Sequence, residues 1–296
     1  MKWLRRIALV VISLVVLGYA GAAAYMYVNQ RSFQYAPEGR LLALDETALT
    51  TAELVEVPTG DGEKVVGWYA PPQAGKPLIV YYKGNADSFS DEHKRYEQFA
   101  ADGYGFLAFD YRGFPASPGV LSETNVLADA LAAFDFAAAK GAPLVIWGRS
   151  LGSGPATWVA SQREAGALLL ETPFDSAVSV ARDRYGFLPV EWIMLDQYHV
   201  DQWIADVAES VFVAHGTADR TIGYAHGVRV HELAPNKVEM WTLEGAGHSD
   251  LWDAGLWARA KEFFAGRWRP RQAAAIKQKR RPSGPAFHNS MRLELS

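Results

Sequence analysis

The sequence predicts a doubly wound α/β fold, a mostly parallel sheet of about eight strands with helices on both faces. Short apolar runs rich in β-branched and aromatic residues alternate along the chain with segments of helical periodicity. Most of these runs are apolar at nearly every position, as expected of strands that are covered on both faces. Strands and helices that alternate in this way form parallel sheets with right-handed crossovers.

The composition is that of a well-packed domain. The chain has 296 residues, of which 49% are hydrophobic and 21% charged, and this excludes a disordered or collagen-like protein. It has no cysteine, so disulfides, thiolate metal sites, iron–sulfur clusters and a cysteine nucleophile are excluded together. Basic residues concentrate at the two ends and leave an acidic central part, which argues against nucleic acid as a partner.

The first element is an uncharged apolar stretch at 7–28. At about 1.5 Å per residue a helix of this length reaches across a hydrocarbon core of about 30 Å. The basic residues before it predict a cytoplasmic N-terminus and an exported location, periplasmic or extracytoplasmic, for the rest of the chain. We therefore predict a membrane anchor at 1–28. A cleaved signal peptide is the alternative, because Ile7–Leu17 is a suitable apolar core and Ala22–Ala24 supplies small residues for processing.

A polar connector at 29–50 leads to the main folded domain, predicted at 51–266. Two runs separated by Thr59-Gly60-Asp61-Gly62 predict a hairpin, and six further runs predict the rest of the sheet. The strands are expected at 54–58, 64–70, 78–83, 106–110, 144–147, 167–170, 211–215 and 238–243. The helices are expected at about 91–102, 122–140, 151–164, 224–234 and 252–265. The stretch 173–206 breaks this alternation and predicts an inserted cap, and 267–296 predicts a basic disordered tail.

The motif Gly148-Arg149-Ser150-Leu151-Gly152 follows a predicted strand and precedes a predicted helix. The two glycines permit a tight turn that holds a strained serine at its apex, above the carboxyl edge of the sheet. Asp219 and His248 follow the last two strands, so the chain order is Ser, Asp, His. These residues predict a nucleophile, an acid and a base.

Other residues compete for these roles. Asp250 is an alternative acid but is placed to cap a helix, and His215 and His226 are alternative bases within a strand end and a helix start. The loop after the third strand predicts oxyanion donors at Asn85 and Ala86, which would act together with the N–H of Leu151. We predict no metal site, because no histidine has a partner at ligand spacing.

The ordered motifs KGNA, DYRG, GRSLGSG, ETPFDS, HGTADRTI and GAGHSD resemble those of the α/β-hydrolase superfamily. The resemblance covers about 50–266. It is greatest to a branch of membrane-anchored serine hydrolases that includes protein depalmitoylases and bacterial serine aminopeptidase-like hydrolases. It implies Ser150 as nucleophile, Asp219 as acid, His248 as base, and oxyanion donors at Leu151 and around Asn85 and Ala86. The family usually has His where this chain has Lys83, which leaves the second donor open.

The predicted function is hydrolysis of a carboxylic ester or thioester through an acyl-serine, without a cofactor. Amide or peptide hydrolysis is the alternative within the enzymes, and a non-catalytic binding module is the alternative outside them. The substrate is expected to be a small-molecule or lipid-like acyl ester. Trp192 and Met194 are the candidate substrate-binding residues within an apolar cap wall. The whole wall comprises Phe174, Phe187, Leu188, Trp192, Ile193, Met194, Leu195 and Trp203.

Overall fold

A single eight-stranded sheet forms the centre of the molecule in the computed structural model, which describes residues 2–85 and 87–268. The spatial order of the strands is β1-β2-β4-β3-β5-β6-β7-β8. The first two strands pair antiparallel, β2 pairs antiparallel with β4, and all other pairs are parallel. The strands are β1 (Glu53–Pro58), β2 (Lys64–Ala70), β3 (Leu78–Tyr82), β4 (Gly105–Phe109), β5 (Leu144–Arg149), β6 (Ala167–Glu171), β7 (Ser210–Gly216) and β8 (Lys237–Leu243).

Nine α-helices lie within the described residues, and short 3-10 turns occur at Leu44–Glu46, Phe89–Glu92, Ser150–Gly152 and Ile204–Asp206. The helices are α1 (Lys2–Gln34), α2 (His93–Ala101), α3 (Glu123–Ala138), α4 (Ser153–Gln162), α5 (Ala177–Tyr185), α6 (Val190–Ile193), α7 (Val200–Trp203), α8 (Tyr224–Leu233) and α9 (Trp257–Phe264). A π-helical turn at Trp252–Leu256 precedes α9. The predicted fold class is thus confirmed, and every predicted strand is present.

The core consists of two apolar layers, one on each face of the sheet. Because side chains alternate along a strand, Val80 packs in one layer and Tyr81 in the other. The first layer includes the buried faces of α3, α4 and α8, and the second includes those of α2 and α9. This two-sided cover explains why the central strands are apolar at almost every position.

The N-terminal helix α1 is longer than the predicted anchor, since it continues through the first part of the predicted connector to Gln34. It is the one helix in the described part of the chain that is long and apolar enough to cross a membrane. Its polar last turns contact the cap. Gln30 Nε2 donates to the Ile193 carbonyl at 3.1 Å, and Arg31 pairs with Asp196 at 2.9 Å. These contacts explain why the helix continues beyond the apolar run.

The segment between β6 and β7 contains α5, α6 and α7 and lies beside α1. Most of the predicted tail lies outside the described residues, because the structure describes the chain only as far as Trp268.

Candidate active site

Ser150 occupies a tight turn between β5 and α4. Its φ of 51° lies in the left-handed region, which is strained for a residue with a side chain. The flanking glycines are required by close packing. A Cβ on Gly148 would lie 2.5 Å from that of Ala156, and one on Gly152 would overlap the carbonyl oxygen of Tyr82. The motif therefore has glycines where no side chain fits.

Ser150, His248 and Asp219 form a continuous hydrogen-bonded chain at the carboxyl edge of the sheet. His248 Nε2 lies 2.9 Å from Ser150 Oγ, and His248 Nδ1 lies 2.7 Å from Asp219 Oδ2. The other carboxylate oxygen of Asp219 accepts the backbone N–H groups of Thr221 and Ile222 at 2.8 and 2.9 Å. Asp219 is therefore fixed in place and directed at the imidazole.

The carboxylate of Asp219 is held in its charged form. Burial by itself would raise its pKa, but hydrogen bonds from His215 and His248 outweigh burial and keep the pKa well below its usual range. His215 Nε2 lies 3.2 Å from Asp219 Oδ2 and 2.9 Å from the carbonyl oxygen of Ile222. His215 is thus a second hydrogen-bond partner of Asp219, and it is fully buried.

The other competing residues lie elsewhere. The Asp250 carboxylate accepts the N–H of Gly247 at 2.7 Å, which orders the loop that bears His248. His226 bridges Asp175 and Asp183, at 2.7 and 3.0 Å, and so connects α8 to α5. The structure brings His248 to Ser150, and it holds Asp250 and His226 in these other contacts.

The loop after β3 lies beside Ser150. Asn85 and Leu151 line the same pocket as Ser150, and a Cβ on Gly84 would lie 3.7 Å from the Cβ of Ser150. The side chain of Asn85 binds the end of α1, since its Nδ2 donates to the carbonyl oxygen of Gln34, the last residue of that helix, at 2.8 Å. Ala86, the other predicted donor, lies outside the described residues.

Lys83 is buried under this loop. Its Nζ donates to the carbonyl oxygens of Gly84 and Asp87, at 3.2 and 2.9 Å, and lies 3.7 Å from Asp110. Burial lowers the pKa of Lys83 to about 8, against the opposing effect of Asp110. Where the family usually has histidine, this lysine therefore holds the backbone of the loop in place.

A buried network of ion pairs lies next to the turn that bears Ser150. Arg149, next to Ser150, lies 3.1 Å from Glu92 and 3.4 Å from Glu171. Glu171 also receives both terminal nitrogens of Arg95, at 2.8 and 2.9 Å. Because each buried charge here has an opposite partner, the network stiffens the turn without leaving an uncompensated charge.

A pocket of about 240 Å³ opens at Ser150, with mostly apolar walls. Of the predicted cap residues, Phe174, Leu188, Ile193 and Met194 line it. Phe187, Trp192, Leu195 and Trp203 do not. Trp192 is 89% exposed on α6, so the prediction that it contacts substrate is wrong. The four-residue helix α6 turns Ile193 towards the pocket and leaves Trp192 on its outer side.

One wall of the pocket, which α1 supplies, was not predicted from the sequence. Its contributing residues share one helical face and are Met26, Tyr27, Gln30, Phe33 and Gln34. Their spacing of i, i+1, i+4, i+7 and i+8 is the signal that was available. This pattern was not recognised because a membrane anchor already accounts for the apolar run at 7–28. The residues after it were assigned to a connector, since 29–50 lacks strand or turn patterns.

Comparisons with known proteins agree with this architecture. No model of a known protein family matches the chain. An uncharacterised protein of Mycobacterium tuberculosis is 31% identical over 249 residues, which are 82% of this chain and 89% of that protein. The lysophosphatidylserine lipase ABHD12 of Bos taurus is 30% identical over 190 residues, which are 56% of this chain and 48% of that protein.

Among solved structures, an esterase of Pyrococcus furiosus superposes with a TM-score of 0.61 at 20% identity. The match covers 79% of this chain and 98% of the esterase. At this level of identity the likeness concerns the fold alone.

Proposed function

Since the chain belongs to the α/β-hydrolase superfamily, we propose that it is a serine hydrolase that cleaves a carboxylic ester or thioester. One observation carries the proposal. His248 connects the strained Ser150 to the buried carboxylate of Asp219 through hydrogen bonds of 2.9 and 2.7 Å. A serine that has both a base and an acid to orient that base is the arrangement that nucleophilic acyl transfer requires.

In the proposed reaction, Ser150 Oγ attacks the acyl carbonyl carbon while His248 Nε2 takes the hydroxyl proton. The resulting imidazolium gives this proton to the leaving oxygen or sulfur, and the carbon–leaving-group bond breaks to give an acyl-serine. Water then attacks the acyl carbon with His248 again as base, releasing the acid and restoring the serine. Asp219 holds the Nδ1–H tautomer and stabilises the imidazolium charge.

The negative charge that develops on the carbonyl oxygen needs donors in the same pocket. We assign the backbone N–H groups of Leu151 and of the loop at Asn85 and Ala86 to this role. The position of Leu151 and Asn85 in the pocket wall supports the assignment. Lys83 would contribute by holding the loop carbonyls away from the oxyanion.

The pocket supports a preference for medium or longer acyl groups over acetyl. Its walls are mainly aliphatic and aromatic, and each methylene buried there contributes about 0.8 kcal/mol. The ABHD12 relative, named as a lipase, supports a lipid-like acyl ester as the substrate class. Met194 is retained as a substrate-binding residue in this proposal.

The test is covalent labelling. A fluorophosphonate probe is expected to label the wild type and to leave Ser150→Ala unlabelled, with ester turnover lower by about a thousandfold or more. Thermal unfolding should be nearly unchanged, because the substitution opens no core cavity. If Ser150→Ala keeps a tenth of the wild-type activity, the proposed nucleophile is wrong. An aminoacyl anilide assayed beside the esters would reveal amide hydrolysis.

We also propose that residues 7–28 remain as a membrane anchor, with the N-terminus cytoplasmic and the catalytic domain exported. The apolar helix α1 supports this. Full-length protein should stay in the membrane fraction through an alkaline carbonate wash, and protease added at the cytoplasmic face should spare the domain. A soluble form that begins near Tyr25 would indicate a cleaved signal peptide instead.

A further inference from the structure

Three large apolar side chains lie on the outer surface of the cap, and we call them the cap patch. They are Phe187, Trp192 and Leu195, with exposed fractions of 68%, 89% and 53%. All three lie within nine consecutive residues of one segment, which concentrates exposed apolar area there. Exposed apolar clusters of this kind mark interaction surfaces.

The cap patch adjoins the apolar part of α1. Tyr19 Oη donates to the carbonyl oxygen of Phe187 at 3.0 Å, and Ala23 and Met26 pack against the apolar cluster that contains Leu188. Tyr19 lies nine residues before Val28, the end of the uncharged run, which is about 14 Å along the helix axis. If the run 7–28 crosses the bilayer, the Phe187 turn must lie beside a part of α1 that is already in the membrane.

The polarity of the cap segment 187–196 changes in step with that of the adjacent helix. Near the end of α1, Gln30 Oε1 accepts the N–H of Leu195 at 2.6 Å, and Arg31 pairs with Asp196 at 2.9 Å. Polar and charged groups thus meet at the end of the helix, and apolar groups meet about one to two turns earlier, at Ala23 and Met26.

The charges within the cap segment limit the depth of insertion. Glu191 is paired with Arg182 of α5 at 2.8 Å, and both side chains are exposed. This pair belongs at the level of the lipid headgroups, because long charged side chains extend towards water. The aromatic residues of the cap patch are of the type that is enriched at this boundary.

We propose that the cap patch docks into the membrane leaflet on the side of the catalytic domain, and that its partner is the phospholipid bilayer itself. The pocket, whose walls are α1 and the cap, then lies at the membrane surface. An acyl substrate dissolved in that leaflet would reach Ser150 without crossing bulk water. The docking rests on α1 spanning the bilayer, and the route of the substrate rests on the proposed hydrolase function.

The lack of cysteine in the chain allows a direct test of docking. Full-length Phe187→Cys and Trp192→Cys, each carrying a nitroxide label, are reconstituted into phosphatidylcholine–phosphatidylglycerol vesicles (about 7:3). Collisions of the label with oxygen and with a nickel chelate report lipid and water, respectively. Leu14→Cys in α1 is the bilayer reference, and Leu54→Cys, exposed on β1, is the water reference.

Docking at the boundary predicts nickel accessibilities at 187 and 192 that lie between those at 14 and 54, and at least threefold below that at 54. Equal accessibility at 187, 192 and 54 would overturn the proposal. A water-exposed label at 14 would also overturn it, because α1 would then not cross the bilayer. This measurement does not depend on enzymatic activity, so it separates a failure of docking from a failure of the proposed function.

A second measurement links docking to the substrate. The double variant Phe187→Ser/Trp192→Ser should hydrolyse a soluble acetyl ester at the wild-type rate and a long-chain ester embedded in the same vesicles at least fivefold more slowly. Losses of equal size on both substrates would contradict the proposed route from the leaflet.

Discussion

In the proposed hydrolase, acyl-chain selectivity should depend on residues of α1, because this helix supplies one wall of the pocket. Met26 lines the pocket and also packs against the apolar cluster of the cap. Replacing it with the larger tryptophan should fill part of the 240 Å³ next to the cap. The substitution is therefore expected to shorten the acyl chain that the enzyme prefers, although the residue lies far from Ser150 in sequence.

The size of the effect follows from the burial of methylene groups. Each methylene displaced from the pocket forfeits about 0.8 kcal/mol, which is about a fourfold loss in kcat/KM. Two displaced methylenes would therefore cost about fifteenfold on a long-chain ester. An acetyl ester has no chain to displace, so its kcat/KM should fall far less.

The assay compares p-nitrophenyl acetate with the decanoate, using full-length protein in detergent micelles. The ratio of kcat/KM for decanoate to that for acetate is expected to fall about fifteenfold in Met26→Trp. Leu17→Trp is the matched control, because Leu17 lies on the same helix but is exposed and outside the pocket wall. The reasoning is refuted if Met26→Trp keeps the wild-type ratio, or if Leu17→Trp lowers it equally.

Three further predictions concern the framework of the site. The unfolded chain binds a proton on Lys83 more tightly than the folded protein does, so the free energy of unfolding should rise by about 3 kcal/mol between about pH 8 and pH 10.5. In Lys83→Met, denaturant titrations over this range should lack that rise, and an identical slope in both proteins would exclude the assignment. In Gly152→Ala the new Cβ would overlap the carbonyl oxygen of Tyr82. The variant should therefore lose about 1–3 kcal/mol of unfolding free energy and should no longer be labelled by the fluorophosphonate probe. Retained stability and labelling would show that the turn can relax. Asp196→Ala leaves Arg31 without its partner and should lower the thermal midpoint of unfolding. Glu191→Ala is the control, because it removes an exposed ion pair and should change the midpoint little. Equal shifts in the two variants would contradict the role of Asp196 in joining α1 to the cap.

The sequence by itself determined the sheet and its layers. Strands that are covered on both faces are apolar at nearly every position, so runs such as 144–147 could be recognised as strands. In the structure this strand is longer by two residues and ends at Arg149. The order of Ser150, Asp219 and His248 was also readable, because the residues that follow parallel strands meet at one edge of the sheet. The position of His215 at the end of a strand favoured His248 as the base, but the sequence did not show the direction of either side chain. Only the fold turns one imidazole towards Ser150 and buries the other behind the carboxylate.

Contacts between segments distant in the chain were decided by the tertiary structure alone. The direction of a side chain on the short helix α6 depends on what the helix packs against. This packing placed Ile193, and Met194 just after the helix, in the pocket wall and left Trp192 outside it. The apolar run of α1 is sufficient for an anchor, so nothing in its composition required a second role as pocket wall. That role arises because two distant residues hold the end of the helix. Asp196 binds Arg31, which lies 165 positions away, and Asn85 binds Gln34, which lies 51 positions away. A local pattern specifies which face of an element is apolar, whereas only the packed structure determines what that face meets.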